Sequence, residues 1–186
     1  MERNVDVIFV RHAESEDNLK VKALCEVLLC LRHGKLPSFK QVVDIAKLLE
    51  YDIDSKLSPL GKRQLLDLKM ILSSVNFWNE DINLIVHSPL LRASETCSTI
   101  VASQCSNKII RLEVLREITP FEQLSRSAVE GKLLKFEQWL QEQHEDIKQI
   151  VVVGHCQYFN SLLGMKTLMR NCDVWKSTVS FQVQLG

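Results

Sequence analysis

Two basic side chains, Arg11 and His12, stand immediately after the first apolar stretch of the chain. An arginine can hold an oxyanion such as phosphate with a planar fork of donors. An imidazole can act as a nucleophile, a base or a metal ligand. The preceding residues 5–10 are apolar β-formers interrupted only by Asp6, which is typical of a buried strand. We therefore expect a strand whose carboxyl end presents Arg11 and His12 to an anion.

Reactive groups also follow two later apolar stretches. Residues 83–86 lead to Arg92 a few positions further on, and residues 149–153 lead to His155. Because loops at the carboxyl ends of parallel strands build the sites of α/β proteins, we expect these groups to converge with Arg11 and His12. A neutral imidazole can attack phosphorus and hold the phosphoryl group covalently, while arginines stabilise its charge. The residue types therefore indicate phosphoryl transfer.

The elements that must position these groups alternate between strands and helices. Apolar stretches predict strands at residues 5–10, 83–86, 108–112, 149–153 and 178–184. Periodic stretches predict helices at residues 19–31, 39–50, 59–74, 90–103, 126–144 and 158–169, whereas residues 115–123 are expected to form a loop. The pattern predicts an α/β fold: a three-layer sandwich with a mostly parallel central sheet and helices on both faces. We expect a single domain over residues 1–186, with residues 19–56 as a helical insertion or lid over the site.

Composition limits the classes of partner. The chain has 23 Lys and Arg against 23 Asp and Glu, so its net charge gives no electrostatic basis for binding nucleic acid. No apolar stretch approaches the roughly 20 residues of a membrane span, and the first residues lack a signal peptide. The six cysteines form no CxxC motif and show no zinc-ligand spacing with the histidines. We expect a cytoplasmic protein with reduced thiols, in which Cys156 is an inert small residue rather than a redox switch.

The same reactive residues belong to segments that resemble a known family. Residues 11–18, RHAESEDN, are similar to the signature of the histidine phosphatase superfamily, in its phosphoglycerate-mutase-like branch. Four other segments resemble motifs of that family in the same order, at residues 57–64, 88–96, 115–117 and 151–155. The resemblance extends from residue 5 to about residue 185. One departure is Ala13, which stands where glycine is commoner.

The resemblance implies roles for individual residues. His12 corresponds to the nucleophile that becomes phosphohistidine, and Arg11, Arg92 and His155 correspond to groups that bind the phosphoryl group. Asn18 corresponds to an additional phosphate contact. Neighbouring arginines favour the neutral form of an imidazole, as a nucleophilic His12 requires.

A carboxylate completes the implied catalytic set of His12, Glu117 and His155. Glu117 corresponds to the proton donor to the leaving group, which then becomes the base that activates water. Glu113 and Glu122 are alternatives for that role. The resemblance implies neither a metal nor an organic cofactor.

The resulting hypothesis is a phosphoric monoester hydrolase that acts on a small phosphorylated substrate or a phosphoprotein through a phosphohistidine at His12. One alternative is a cofactor-dependent phosphoglycerate-type mutase, which the short interval between Glu117 and His155 disfavours. Another is a catalytically idle phosphate-binding adaptor, which the complete set of reactive residues disfavours. Residues 20–40 contain five lysines and arginines against one acidic residue, so a lid there would attract phosphorylated substrates.

Overall fold

A five-stranded sheet forms the centre of the molecule in a computed structural model that describes residues 2–39, 43, 54–78, 82–101, 108–143 and 146–182. The strands are β1 (Glu2–Arg11), β2 (Leu84–His87), β3 (Lys108–Arg111), β4 (Gln149–Gly154) and β5 (Val174–Gln182). Their order is β3-β2-β4-β1-β5, and every neighbouring pair is parallel except β1 with β5. The predicted α/β fold with a mostly parallel sheet is confirmed. The closing strand begins at Val174, earlier than predicted, and lies at the sheet edge.

Six α-helices and one 3₁₀ turn are present among the described residues. The helices are α1 (Glu16–Arg32), α2 (Pro59–Ser74), α3 (Leu91–Ile100), α4 (Pro120–Gln123), α5 (Arg126–Gln141) and α6 (Cys156–Leu163). The 3₁₀ turn is Glu113–Leu115. None of the helices in this part of the chain has the length and apolar character needed to cross a membrane.

The helices cover both faces of the sheet because the strand side chains alternate. Val5, Val7 and Phe9 contribute to a core on one face of β1, and Ile8 and Val10 contribute to a core on the other. The first core is completed mainly by α5 and α6, through Phe136, Leu140, Tyr158 and Phe159. The second is completed by α2 and α3, through Leu65, Leu68, Leu72, Ala93, Cys97 and Ile100. The predicted three layers are therefore present.

The predicted limits of two helices are wrong, and local capping explains where the first begins and where the second ends. Helix α1 begins at Glu16 rather than residue 19, since Ser15 and Asn18 form a reciprocal capping box at its start. The helix predicted at residues 158–169 begins at Cys156 and ends at Leu163. It stops there because Gly164 adopts a left-handed conformation with φ of 60°.

The segment predicted as a loop at residues 115–123 contains ordered helical structure. It includes the end of the 3₁₀ turn and the four residues of α4, which Thr119 and Glu122 cap reciprocally. The helix predicted at residues 39–50 lies almost entirely outside the described residues. The expectation that residues 19–56 act as a lid therefore stays a prediction.

Candidate active site

The register of the central strands brings the reactive groups to one edge of the sheet. Because Arg11 of β1 pairs with Gly154 of β4, His12 and His155 follow at equivalent positions. The His12 backbone N–H donates to the Gly154 carbonyl at 2.9 Å. The Ser88 backbone N–H donates to the carbonyl of Val153 in β4, also at 2.9 Å. The hydrogen-bonded ladder thus extends one residue beyond β1 and β2, and aligns His12 and Ser88 with the end of β4.

His12 is buried in a form that suits a nucleophile. Its Nδ1 lies 2.7 Å from the carbonyl oxygen of Ala13, which can only accept a hydrogen bond. Nδ1 therefore carries the proton, and Nε2 retains its lone pair. Burial lowers the pKa of His12 well below its usual value, and the neighbouring His155 and Arg92 lower it further. The ring is consequently neutral at neutral pH.

The loop that carries His12 is tied to α3 through a buried hydroxyl group. The Ala13 backbone N–H donates to Thr96 Oγ1 at 3.1 Å, and the Thr96 hydroxyl donates to the carbonyl oxygen of Arg92 at 2.7 Å. Thr96 therefore links the backbone next to His12 with the helix that presents Arg92. Thr96 lies in the motif at residues 88–96, but no local sequence pattern indicates this linking role.

The same loop is also held by the start of α2. The Ser58 backbone N–H donates to the Glu14 carbonyl at 2.9 Å, and the Ser58 hydroxyl donates to Glu14 Oε1 at 2.7 Å. Gly61 lies so close that a Cβ there would stand 2.0 Å from the Glu14 carbonyl oxygen. The motif at residues 57–64 therefore supports the nucleophile loop through backbone contact, because only glycine permits this approach.

Two guanidinium groups offer donors near the histidines. The buried Arg92 lies 3.9 Å from Asp17 Oδ2 through Nη1 and 4.0 Å from Glu117 Oε2 through Nη2. Its Nη1 has no hydrogen-bond partner in the structure, and neither does the buried Nε of Arg11. Arg11 Nη1 donates to the Met169 carbonyl, which anchors that side chain. Both arginines therefore retain donors that an oxyanion could accept.

His155 is fully buried between a hydroxyl and a carboxylate. Its Nε2 lies 2.7 Å from Ser88 Oγ, and its Nδ1 lies 3.2 Å from Glu117 Oε2. The Leu90 backbone N–H donates to the same Ser88 oxygen at 3.3 Å, which leaves the hydroxyl proton available for Nε2. In that arrangement Nδ1 carries its proton toward Glu117. Burial lowers the pKa of His155, although Glu117 opposes this effect.

The Ser88 hydroxyl does not cap a helix, although Ser88-Pro89 is a sequence typical of a helix start. In the structure Leu90 is the N-cap of α3 and makes no side-chain capping bond. The Ser88 hydroxyl is used for His155 instead, a role that no local sequence signal indicates.

The structure distinguishes the three candidate carboxylates. Glu117 alone among them contacts His155, and its backbone carbonyl accepts a hydrogen bond from Lys132 Nζ at 3.1 Å. The Glu113 side chain is 65% exposed and pairs with two arginines at 3.2 Å. Glu122 caps α4 and pairs with Lys132. Of the three carboxylates, Glu117 is therefore the one that lies beside the histidines, and its role as the acid stays a prediction.

Asn18 lies beside the nucleophile but is already used structurally. Its Oδ1 accepts from the Ser15 backbone at 3.1 Å and from Asn171 Nδ2 at 3.2 Å. The same Asn171 amide donates to the His12 carbonyl at 3.0 Å. Asn171 is thus a support that the sequence did not reveal. The phosphate contact expected of Asn18 stays a prediction.

A match to a protein-family model shows the superfamily of this chain. Residues 28–149 match the family model of the histidine phosphatase superfamily, branch 1. The chain belongs to this superfamily. The matched segment contains Arg92 and Glu117, whereas Arg11, His12 and His155 lie outside it. A search of curated proteins found no significant match.

Solved structures share this superfamily fold at low sequence identity. A candidate alpha-ribazole-5'-P phosphatase of Escherichia coli has a TM-score of 0.62 and 16% identity, covering 92% of this chain and 89% of that chain. A mycobacterial glucosyl-3-phosphoglycerate phosphatase has a TM-score of 0.54 and 14% identity, with coverages of 95% and 91%. A phosphoserine phosphatase of Entamoeba histolytica has a TM-score of 0.51 and 20% identity, with coverages of 92% and 89%. At these identities the likeness concerns the fold alone.

Proposed function

We propose that this protein is a phosphatase that hydrolyses phosphomonoesters through a covalent phosphohistidine at His12. The observation that carries the proposal is the state of His12: a buried, neutral imidazole whose Nδ1 is held by the Ala13 carbonyl and whose Nε2 is free to attack. Phosphoryl transfer requires chiefly positioning and stabilisation of charge. A fixed neutral nucleophile beside two guanidinium groups meets both requirements.

In the first step the phosphoryl oxygens bind the available donors of Arg11 and Arg92, and the Nδ1–H of His155 is shared between the phosphoryl group and Glu117. His12 Nε2 attacks phosphorus as the bond from phosphorus to the leaving oxygen breaks. Protonated Glu117 transfers its proton to that leaving oxygen, so the alcohol departs neutral. The products of this step are the free alcohol, a phosphorylated His12 and a Glu117 carboxylate.

In the second step the phosphohistidine is hydrolysed. The Glu117 carboxylate takes a proton from water as the water oxygen attacks phosphorus, and the phosphorus–Nε2 bond breaks. Inorganic phosphate leaves, His12 regains its lone pair, and Glu117 is again protonated. The Nδ1–H of His155, 3.2 Å from Glu117 Oε2, stabilises the carboxylate between the two steps.

The substrate class is a small phosphorylated molecule or a phosphoprotein. The electrostatic attraction of an anionic substrate is local, because the chain as a whole has no net charge. It comes from the two guanidinium groups at the sheet edge and from the basic bias of residues 20–40.

The test is phosphate release from an aryl phosphate by the full chain and by two site variants. His12→Ala should lower kcat/KM by at least about 10³-fold, and Glu117→Gln should lower kcat by roughly 10² to 10⁴-fold. An alkaline quench during turnover should trap a phosphorylated protein in the wild type but not in His12→Ala. Glu113→Gln is the matched control and should retain wild-type rates, because its carboxylate is exposed and paired with arginines.

Equal rates for the wild type and His12→Ala would refute the covalent mechanism. Phosphate binding with no turnover of several phosphomonoesters would favour the adaptor. Isomerisation of phosphoglycerate that requires a bisphosphate primer would favour the mutase.

A further inference from the structure

We propose that His12, Glu117 and His155 also form a binding site for Zn²⁺, and that the ion reversibly inhibits the enzyme. Each of these residues offers one ligand atom, and the three atoms lie within 4.8 Å of one another. Two imidazoles and one carboxylate are a donor set that zinc accepts, with a further position open to water or another oxygen. The inhibition rests on the function proposed above, whereas the binding of the ion does not.

The two imidazoles are oriented as zinc ligands usually are. Histidine ligands of metals generally have their second nitrogen hydrogen-bonded to an oxygen of the surrounding protein, which fixes the ring. Here the Ala13 carbonyl holds Nδ1–H of His12, which leaves Nε2 as the ligand atom. Ser88 Oγ lies 2.7 Å from Nε2 of His155. Coordination of zinc by Nδ1 of His155 moves the ring proton from Nδ1 to Nε2, where the Ser88 oxygen accepts its hydrogen bond.

The carboxylate of the proposed site has a buried atom with no hydrogen-bond partner. Glu117 Oε1 is buried without one in the structure, whereas Oε2 of the same carboxylate lies 3.2 Å from His155 Nδ1. Buried polar atoms are normally satisfied, so an unsatisfied carboxylate oxygen beside two imidazoles favours a bound ligand. A cation bonded to the carboxylate and to the neighbouring imidazole nitrogen would satisfy this oxygen.

Geometry and charge determine how tightly the ion should bind. Zinc bonds of about 2.0–2.2 Å place tetrahedral ligands about 3.5 Å apart, so the three groups must approach by roughly 1 Å. Arg92 Nη2 lies 4.0 Å from Glu117 Oε2, and its positive charge opposes a dication. We therefore expect the ion to bind more weakly than in a structural zinc site.

Inhibition follows from the ligand atoms themselves. Zinc bonded to His12 Nε2 occupies the lone pair that attacks phosphorus, and zinc bonded to Glu117 occupies the proton donor. An ion in this position therefore blocks both steps of the proposed reaction. No ligand spacing is visible in the sequence because the three residues follow β1, the 3₁₀ turn and β4, which are distant along the chain.

The binding test uses chelator-treated full-length protein in phosphate-free buffer. Zn²⁺ is titrated by calorimetry, and Co²⁺ is titrated by visible absorption as a spectroscopic probe of the ligand geometry. We expect one ion per chain, with affinity at least about tenfold lower in His12→Asn and in Glu117→Gln. His33→Asn, Glu113→Gln and Cys25→Ser are the matched controls, since these side chains are exposed and lie outside the proposed set. They should bind the ion as the wild type does.

If both His12→Asn and Glu117→Gln bind Zn²⁺ with wild-type affinity, the proposed site is wrong. It is also wrong if Cys25→Ser or His33→Asn loses stoichiometric binding of Zn²⁺. Circular dichroism of the site variants shows whether weaker binding reflects misfolding. In the activity assay, Zn²⁺ should inhibit the wild type and excess chelator should restore its rate. Stoichiometric binding without inhibition would overturn the inhibitory role. If the protein has no phosphatase activity, the titrations alone still decide whether the ion binds, so the two proposals fail independently.

Discussion

The contact between Gly61 and Glu14 allows a sharp test of how α2 supports the nucleophile loop. The Gly61→Ala substitution would place Cβ 2.0 Å from the Glu14 carbonyl oxygen and 2.9 Å from its carbonyl carbon. Both atoms belong to the backbone, so no flexible side chain can move aside. The start of α2 and the loop must therefore separate by more than 1 Å to restore an ordinary contact of 3.4–4 Å.

The cost of that separation can be estimated from the contacts it disrupts. Two hydrogen bonds join Ser58 to Glu14, and the Glu14 backbone N–H donates to Gln64 Oε1 at 3.0 Å. Each contributes about 1 kcal/mol net, and inserting a methyl group into a filled space costs about 1–3 kcal/mol. We expect the free energy of unfolding to fall by about 4–6 kcal/mol. We also expect a loss of roughly 10²-fold in activity, because Glu14 is two residues from His12.

The assay compares urea denaturation of the wild type, Gly61→Ala and Gly131→Ala. Gly131 lies within α5, and a Cβ there would meet no atom within 4 Å. Since alanine is the better helix former, Gly131→Ala should raise the free energy of unfolding by about 0.5–1 kcal/mol. The two substitutions are chemically identical and are predicted to have opposite effects. Wild-type stability and activity in Gly61→Ala would refute the argument.

Three further predictions concern the charged and polar groups of the site. Burial lowers the folded-state pKa of His12 and of His155 below the usual histidine value of about 6.5. Below about pH 6.5 the unfolded state therefore binds more protons, and the free energy of unfolding falls by up to about 1.4 kcal/mol per pH unit for each ring. Urea denaturation between pH 7 and pH 5 should give a shallower dependence of stability on pH for His12→Asn, and an unchanged slope would contradict this. Ser88→Ala should lower kcat about tenfold and alter the pH dependence of kcat. The reason is that His155 Nε2 loses its hydrogen-bond partner, so the ring tautomer that faces Glu117 is no longer fixed. A wild-type pH dependence would show that the hydroxyl is only structural. Arg92→Lys should raise KM for an aryl phosphate about tenfold, because an ammonium group cannot form a bidentate contact with phosphate. An unchanged KM would exclude Arg92 from binding the substrate.

The sheet was predictable because local patterns specify it. Side chains of a strand point alternately to opposite faces, and in this chain the central strands are apolar on both faces, as buried parallel strands are. The reactive residues Arg11, His12 and His155 were recognisable because each interrupts or follows such a stretch. Helix ends were predicted less well, because capping by Ser15 and the left-handed Gly164 operate over only a few residues.

The composition of the site depends on contacts between distant parts of the chain. Sequence alone indicated the order of the reactive residues, the family resemblance and the chemistry of an imidazole with guanidinium groups. Only the tertiary structure placed Glu117, rather than Glu113 or Glu122, against His155, and only the structure assigned the Ser88 hydroxyl to that ring. The physical reason is that hydrogen bonds and ionic contacts depend on distances of a few ångströms. Those distances are set by the strand register and by helix packing, not by separation along the chain.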